Sequence, residues 1–194
     1  MSPHPSCLSL VQTTCSAISE DIFLLLLCRT DNKPDWESME AHQAATESSK
    51  YGPFLEQVST IMAGPPNLKH SVLNVYGEDG ALSLSPPATA FKDTPTVIQK
   101  FYFPSSVDAS IVDTAALALV HSIKSLKGFK GAATGWLLEE VEHHALGGSS
   151  GKGFVLVTGW ESSDLAKEFS TSPIANNELQ SVGAKADEGF IASF

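Results

Sequence analysis

The chain is short of cysteine, of positive charge and of long apolar runs. Each shortage removes a class of function. There are 3 cysteines in 194 residues, Cys7, Cys15 and Cys28, and no Cys-x-x-Cys pair among them. An odd count confined to the first 28 residues supports neither a disulfide framework nor a structural zinc site, and points to a reducing, cytoplasmic setting. Lysine and arginine total 12 against 22 aspartate and glutamate, for a net charge of −10. The imbalance is even along the chain: residues 1–92 carry 10 acids and 5 bases, and residues 93–194 carry 12 and 7. No basic stripe is available to neutralise phosphates, which argues against nucleic acid and against an anionic membrane as partner. The longest apolar run, Ile22-Phe23-Leu24-Leu25-Leu26-Leu27-Cys28, is too short to span a bilayer, and it follows Glu20-Asp21 rather than positive charge. It reads as a strand buried on both faces. Motifs for bound cofactors are also missing. There is no Gly-x-Gly-x-x-Gly and no Gly-x-Ser-x-Gly. Gly147-Gly148-Ser149-Ser150-Gly151-Lys152-Gly153 fails as a phosphate loop, because Gly153 stands where Ser or Thr is required and a strand, not a helix, follows.

What the chain does contain is a repeat. Trp36-Glu37-Ser38-Met39-Glu40 recurs as Trp160-Glu161-Ser162-Ser163-Asp164, at an offset of 160 − 36 = 124 residues. The same offset relates the stretches that begin at Ser48 and Ser172. Two related halves are therefore expected: a first repeat over 1–76, a Gly/Pro-rich linker over 77–92 and a second repeat over 93–194. In the second half, Thr96–Phe103 reads as a strand. Ala109–Leu126 reads as a helix, with Val112, Ala116, Leu119, Ile123 and Leu126 on one stripe. Strands follow over Ala132–His144, Phe154–Val157 and Gly189–Phe194, with a helix starting at Ser162 or Ser163. The order is β-α-β-β-α-β, an α+β arrangement of ferredoxin-like type. The first half repeats only the later part of it, with strands at Ile22–Cys28 and Leu68–Tyr76 and a helix from Glu37. Before Trp36 there are too few residues for a full opening, so this repeat is shortened. An incomplete first sheet would leave an edge open to a second copy, which makes a homodimer a candidate.

Trp36-Glu37-Ser38-Met39-Glu40-Ala41-His42, Tyr51-Gly52-Pro53-Phe54-Leu55-Glu56 and Ala63-Gly64-Pro65-Pro66 resemble fungal members of the dimeric α/β-barrel superfamily. That superfamily includes antibiotic-biosynthesis-monooxygenase-like and stress-responsive barrel proteins. The resemblance spans about residues 20–76 and 94–194. It implies two ferredoxin-like repeats packing sheet to sheet as an α/β barrel within one chain. It also implies an apolar or aromatic small molecule as ligand and, where catalysis occurs, a cofactor-free oxygenation or cyclisation of a polyketide-like substrate. The alternative it implies is a non-catalytic carrier or stress-responsive barrel.

Candidate site residues follow from chemistry and placement. His70 is the candidate general base, since imidazole exchanges protons near neutrality. Strand alternation puts it on one face with Val72, Asn74 and Tyr76. His42 and Tyr51 are the assisting candidates; neither has a counterpart at +124, where Ala166 and Ala175 stand. Asn74, Tyr76 and Trp136 are candidate ligand contacts. Glu139, Glu140, Glu142, His143 and His144 form the densest polar cluster, but strand ends beside a Gly-Ser loop are usually solvated, and no metal site is expected. Trp36 and Trp160 are expected to pack in cores.

Overall fold

The computed structural model describes residues 7–13, 22–24, 44, 46–49, 51–53, 56, 67–83, 91 and 93–193. The chain divides into two compact units, Met1–Val72 and Leu73–Phe194.

The first unit contains an antiparallel sheet of three strands in the order β2-β1-β3, made of β1 (Cys7–Thr13), β2 (Ile22–Leu24) and β3 (Asn67–Val72). β1 runs beside both others, pairing Val11 with Leu24 and Ser9 with His70. Eight residues separate β1 from β2. Ala44, Thr46 and Tyr51–Pro53 are helical. Of the expected strand Ile22–Cys28, residues 25–28 lie outside the described set, as do Trp36 and His42.

The second unit is read most fully. Its elements are β4 (Asn74–Tyr76), β5 (Leu82–Ser83), β6 (Pro95–Pro104), α1 (Ala109–Ile123), β7 (Phe129–Trp136), β8 (Val141–Glu142), β9 (Ser150–Trp160), α2 (Ser163–Ser170), α3 (Ile174–Ser181) and β10 (Ala186–Ser193). The strand order is β10-β6-β9-β7-β4-β5, with β8 also on β9 and every pair antiparallel. β6-α1-β7-β9-α2-β10 is the β-α-β-β-α-β unit expected from the sequence, so the fold is α+β and ferredoxin-like.

Local chemistry sets the boundaries. Asp108 starts α1 by accepting the Ser110 N–H at 2.9 Å. The helix ends at Ile123, three residues before the expected end, and Leu126 is left 37% exposed. Ser162 caps α2 by accepting the Leu165 N–H, and Asp164 sits in its first turn. Pro173 cannot continue the ladder of N–H donors, so the expected single helix is two, α2 and α3. The expected strand Ala132–His144 is also divided. β7 stops at Trp136, Leu137 keeps a single bridge through its N–H to the Gly153 carbonyl, Val141 and Glu142 pair again as β8, and His144–Leu146 form a 3-10 turn ended by Gly147 at φ 68°. β9 makes up the difference, starting at Ser150 and running through Gly151 and Gly153 ahead of the expected strand Phe154–Val157. Leu68–Tyr76 becomes β3 and β4 in different sheets, with Leu73 between them. Gly77–Gly80 is the turn of a hairpin between β4 and β5, closed by the Gly80 N–H on the Gly77 carbonyl at 2.9 Å. No described helix is long and apolar enough to cross a membrane.

The core lies between the sheet and its helices. Val97, Phe101 and Phe103 from β6 and Phe154, Leu156 and Trp160 from β9 meet α1 through Val112, Ala116, Leu119 and Ile123. β6 and β9 approach closely where Gly151 faces Pro104. A Cβ at Gly151 would stand 2.4 Å from the Phe103 carbonyl oxygen and 2.6 Å from Leu146 Cδ1. Backbone cannot yield there as a flexible side chain would. Gly151→Ala is expected to destabilise the protein by about 1–3 kcal/mol, read as a lower midpoint in chemical denaturation. An unchanged midpoint would show that the two strands separate at little cost.

Candidate functional site

Period-two alternation sends Val97, Gln99, Phe101 and Phe103 toward the helices and Thr96, Ile98, Lys100 and Tyr102 to the other face of the sheet. Almost every residue of β6 is buried on both faces. The second face is mostly apolar. Ile98 pairs with Val157 of β9, which pairs with Ala133 of β7, and all three are buried. Into this surface the sequence sets a lysine. Lys100 is 5% exposed, and its register partners are Val155 on β9 and Glu188 on β10.

A buried ammonium is costly unless charge and hydrogen bonds answer it. Lys100 Nζ lies 3.4 Å from Glu188 Oε2 and 4.5 Å from the centre of the Tyr102 ring, within cation–π range. The Tyr102 hydroxyl donates to Glu188 Oε2. His143, from the turn after β8, stacks its ring on Tyr102 at 4.1 Å and sets Nε2 3.5 Å from Glu188 Oε1. One carboxylate thus gathers an ammonium, a phenol and an imidazole. Lys100, Tyr102 and His143 are nearly enclosed, whereas the Glu188 side chain is 33% exposed and forms the cluster's open side.

The proton on His143 can be placed. The Ala145 N–H donates to Nδ1 at 3.2 Å, so Nδ1 carries a lone pair and Nε2 carries the hydrogen that faces Glu188. Burial of the ring, first, and the neighbouring His144 and Lys100 hold the His143 pKa below its ordinary 6.5, against an upward pull from Glu188. The folded state therefore binds fewer protons than the unfolded state between the depressed pKa and 6.5. The His143 contribution to stability is intact above pH 6.5, declines as pH falls through that window and levels off below it. In His143→Gln this acid-side loss is expected to shrink, which denaturation at a series of pH values would measure.

The residues singled out from sequence fall in several places. His70 is buried on β3 of the first unit, opposite Ser9. Tyr51 is half-buried in a helical segment of the same unit, and His42 is outside the described residues. Asn74, Tyr76 and Trp136 share the helix-facing side of the second sheet: Asn74 pairs with Thr134 and Tyr76 with Ala132. Asn74 is exposed, while Tyr76 belongs to the packed core. Trp136 lies edge-on to Phe103 at 5.5 Å and Phe154 at 5.0 Å, and its Nε1–H donates to Asp113 of α1 at 2.9 Å. The polar run at 139–144 disperses. Glu140 accepts from the Ser150 hydroxyl at 2.6 Å, Glu142 is exposed on β8, and His143 alone of this run reaches Glu188. Among the described residues no group of three His, Cys, Asp or Glu side chains is placed to hold a metal ion.

Sequence reading missed Lys100 and Glu188. A signal was present: Gln99-Lys100 interrupts Val97-Ile98…Phe101-Tyr102-Phe103, so a strand apolar on both faces carries one polar residue toward each.

No protein family's sequence profile matches the chain, and no curated sequence matches it. Solved structures do resemble it in fold. An anthrone oxidase-like protein superposes with a TM-score of 0.57 at 14% identity, over 99% of this chain and 78% of its own. A candidate monooxygenase from Lactobacillus acidophilus NCFM superposes with a TM-score of 0.50 at 11% identity, over 98% and 80%. At these identities the likeness is one of fold.

Proposed function

We propose that this protein binds an apolar or aromatic small molecule and acts on it as a cofactor-independent oxygenase, with the Lys100–Tyr102–Glu188–His143 cluster as its polar centre. The observation that carries the reading is a buried ammonium on an apolar sheet face, held in a constellation whose least buried member is a carboxylate. Oxygenation without a cofactor requires the substrate to supply electrons, and a phenol or anthrone does so once it is deprotonated. An ammonium in a weakly screening environment stabilises that anion far more than water-exposed lysine could. Glu188, at the open side, is the group placed to take the proton. The Tyr102 hydroxyl and the Lys100 ammonium then face the oxyanion. The fold likeness to an anthrone oxidase-like protein supports an anthrone as first test substrate.

His70 of the first unit is proposed as an alternative proton acceptor, with His42 or Tyr51 assisting; separately, Asn74, Tyr76 and Trp136 of the second unit are proposed as ligand contacts. Unchanged turnover in a folded His70→Ala variant would remove that assignment. A polyketide tailoring role, a cytoplasmic location and a homodimer belong to the same proposal. So does the division of the chain into a shortened repeat over 1–76, a linker over 77–92 and a complete repeat over 93–194. The competing reading is a ligand carrier. One observation favours it: Glu188 already meets three donors, as in a site built to hold rather than to react.

Oxygen uptake separates the two. With anthrone, C14H10O and O2 give anthraquinone, C14H8O2, and water. An oxygenase should consume one O2 per anthraquinone formed with no flavin or metal added. Anthrone bound by the protein but not oxidised faster than in buffer would leave the carrier.

A further inference from the structure

We propose that His143 is a positioning residue for this centre: its neutral imidazole, protonated on Nε2, fixes the Glu188 carboxylate and the Tyr102 ring in the arrangement that receives the substrate's proton and faces its oxyanion. The inference rests on the function proposed above, but its structural half can be tested without that function.

Three contacts hold the ring in one orientation. The register of β8 on β9, Val141 with Gly151 and Glu142 with Ser150, delivers the chain to position 143. The Ala145 N–H then binds Nδ1, so that His143 caps the 3-10 turn that follows it. The ring lies flat on Tyr102, with 19° between planes, and its Nε2–H points at Glu188 Oε1. Glu188 is thereby held from both sides, by Tyr102 and Lys100 on Oε2 and by His143 on Oε1. Without His143, Oε1 loses its donor and the tyrosine loses the ring stacked on it.

The groups facing His143 are Lys100 and Tyr102 from β6, Glu188 from β10 and His144 from its own turn. A second proton would enter at Nδ1, where it would oppose the Ala145 N–H. The resulting cation would also meet Lys100 and His144, with Glu188 alone to offset them. Protonation therefore releases the turn and, with it, the carboxylate. Burial of the ring, with Lys100 beside it, favours the neutral imidazole. Gly147 at φ 68° and Gly148 at φ 79° follow the turn in the left-handed region that favours glycine.

The test combines ring NMR with kinetics on the intact protein. Long-range 15N–1H spectra should show His143 as the Nε2–H tautomer; an Nδ1–H ring overturns the proposal. His143→Phe keeps the stack and loses the donor, and His143→Gln keeps an N–H donor and loses the stack. For anthrone, His143→Phe should lower kcat on the order of 10²-fold with little change in KM. Its acid-side fall in kcat should begin at lower pH than in the wild type, since only protonation of the proton acceptor itself remains to cause it, and His143→Gln should recover part of the loss. His144→Gln should keep the wild-type kcat. A His143→Phe protein with wild-type kcat and the wild-type acid limb would overturn the proposal. If the wild type does not oxidise anthrone at all, the proposed activity fails instead. The positioning role is then decided by the Cζ shift of Tyr102, one of 3 tyrosines in the chain, which must move in His143→Phe. An unmoved shift would overturn it.

Discussion

Lys100→Met should lower anthrone turnover by about 10²–10³-fold, the loss seen when one donor to a developing oxyanion is removed. Methionine fills most of the lysine stem's volume and removes only the charge and its three donors. Taking one member from a buried ion pair usually costs stability as well. Here the cost is limited, because the Glu188 side chain is 33% exposed and keeps its bonds to Tyr102 and His143. A cooperative unfolding transition near that of the wild type is therefore expected alongside the kinetic loss. Lys100 also holds the His143 pKa down. In Lys100→Met that pKa should rise, carrying the acid limb of the rate profile toward neutral pH. A folded variant with wild-type turnover would remove Lys100 from the site.

Trp160→Ala should destabilise the second unit by about 3–5 kcal/mol, in the range for truncating a buried aromatic. Trp160 is 2% exposed and sits between Phe129 at 5.9 Å and Phe169 at 4.8 Å. Its Nε1–H is satisfied within the core by the Thr158 hydroxyl at 2.9 Å, so truncation also strands that hydroxyl's partner position. Trp160→Phe should cost less, since it keeps most of the aromatic surface. The measurement is urea denaturation followed by circular dichroism. A shift in midpoint worth under about 1 kcal/mol, the mean for an ordinary substitution, would contradict the placement of Trp160 as a core anchor.

The fold was legible where sequence pattern and tertiary packing agree. The stripe Val112, Ala116, Leu119 and Ile123 has helical spacing, and those same residues are buried. Ser162 and Asp164 announced a helix start and supply one. Errors occurred at strand ends, where pairing rather than composition decides. Gly151 and Gly153 look like loop residues, yet β9 includes them because β6 approaches too closely for any side chain at 151. The stretch after Trp136 looks like strand, yet its polar residues leave the ladder and make the turn that carries His143.

The site was harder to see because its members are far apart in sequence. Lys100 and Glu188 are brought together only by the antiparallel register of β6 and β10. Nothing local marks either as functional. His143 drew notice only as part of a polar run at which no metal site was expected. Its importance comes from a stack on Tyr102 that only the β8 turn creates. Trp136, a candidate ligand contact from sequence, is the last residue of β7. Its indole N–H is engaged by Asp113, and it packs edge-on with Phe103 and Phe154.

The most direct test of the central claim is a spectroscopic titration of p-nitrophenol bound to the wild-type protein. A buried ammonium that stabilises aromatic oxyanions must favour the bound phenolate. The phenol's apparent pKa should therefore fall on binding to the wild type and return toward its value in buffer with Lys100→Met. Binding without such a fall, or the same fall in both proteins, would contradict the account.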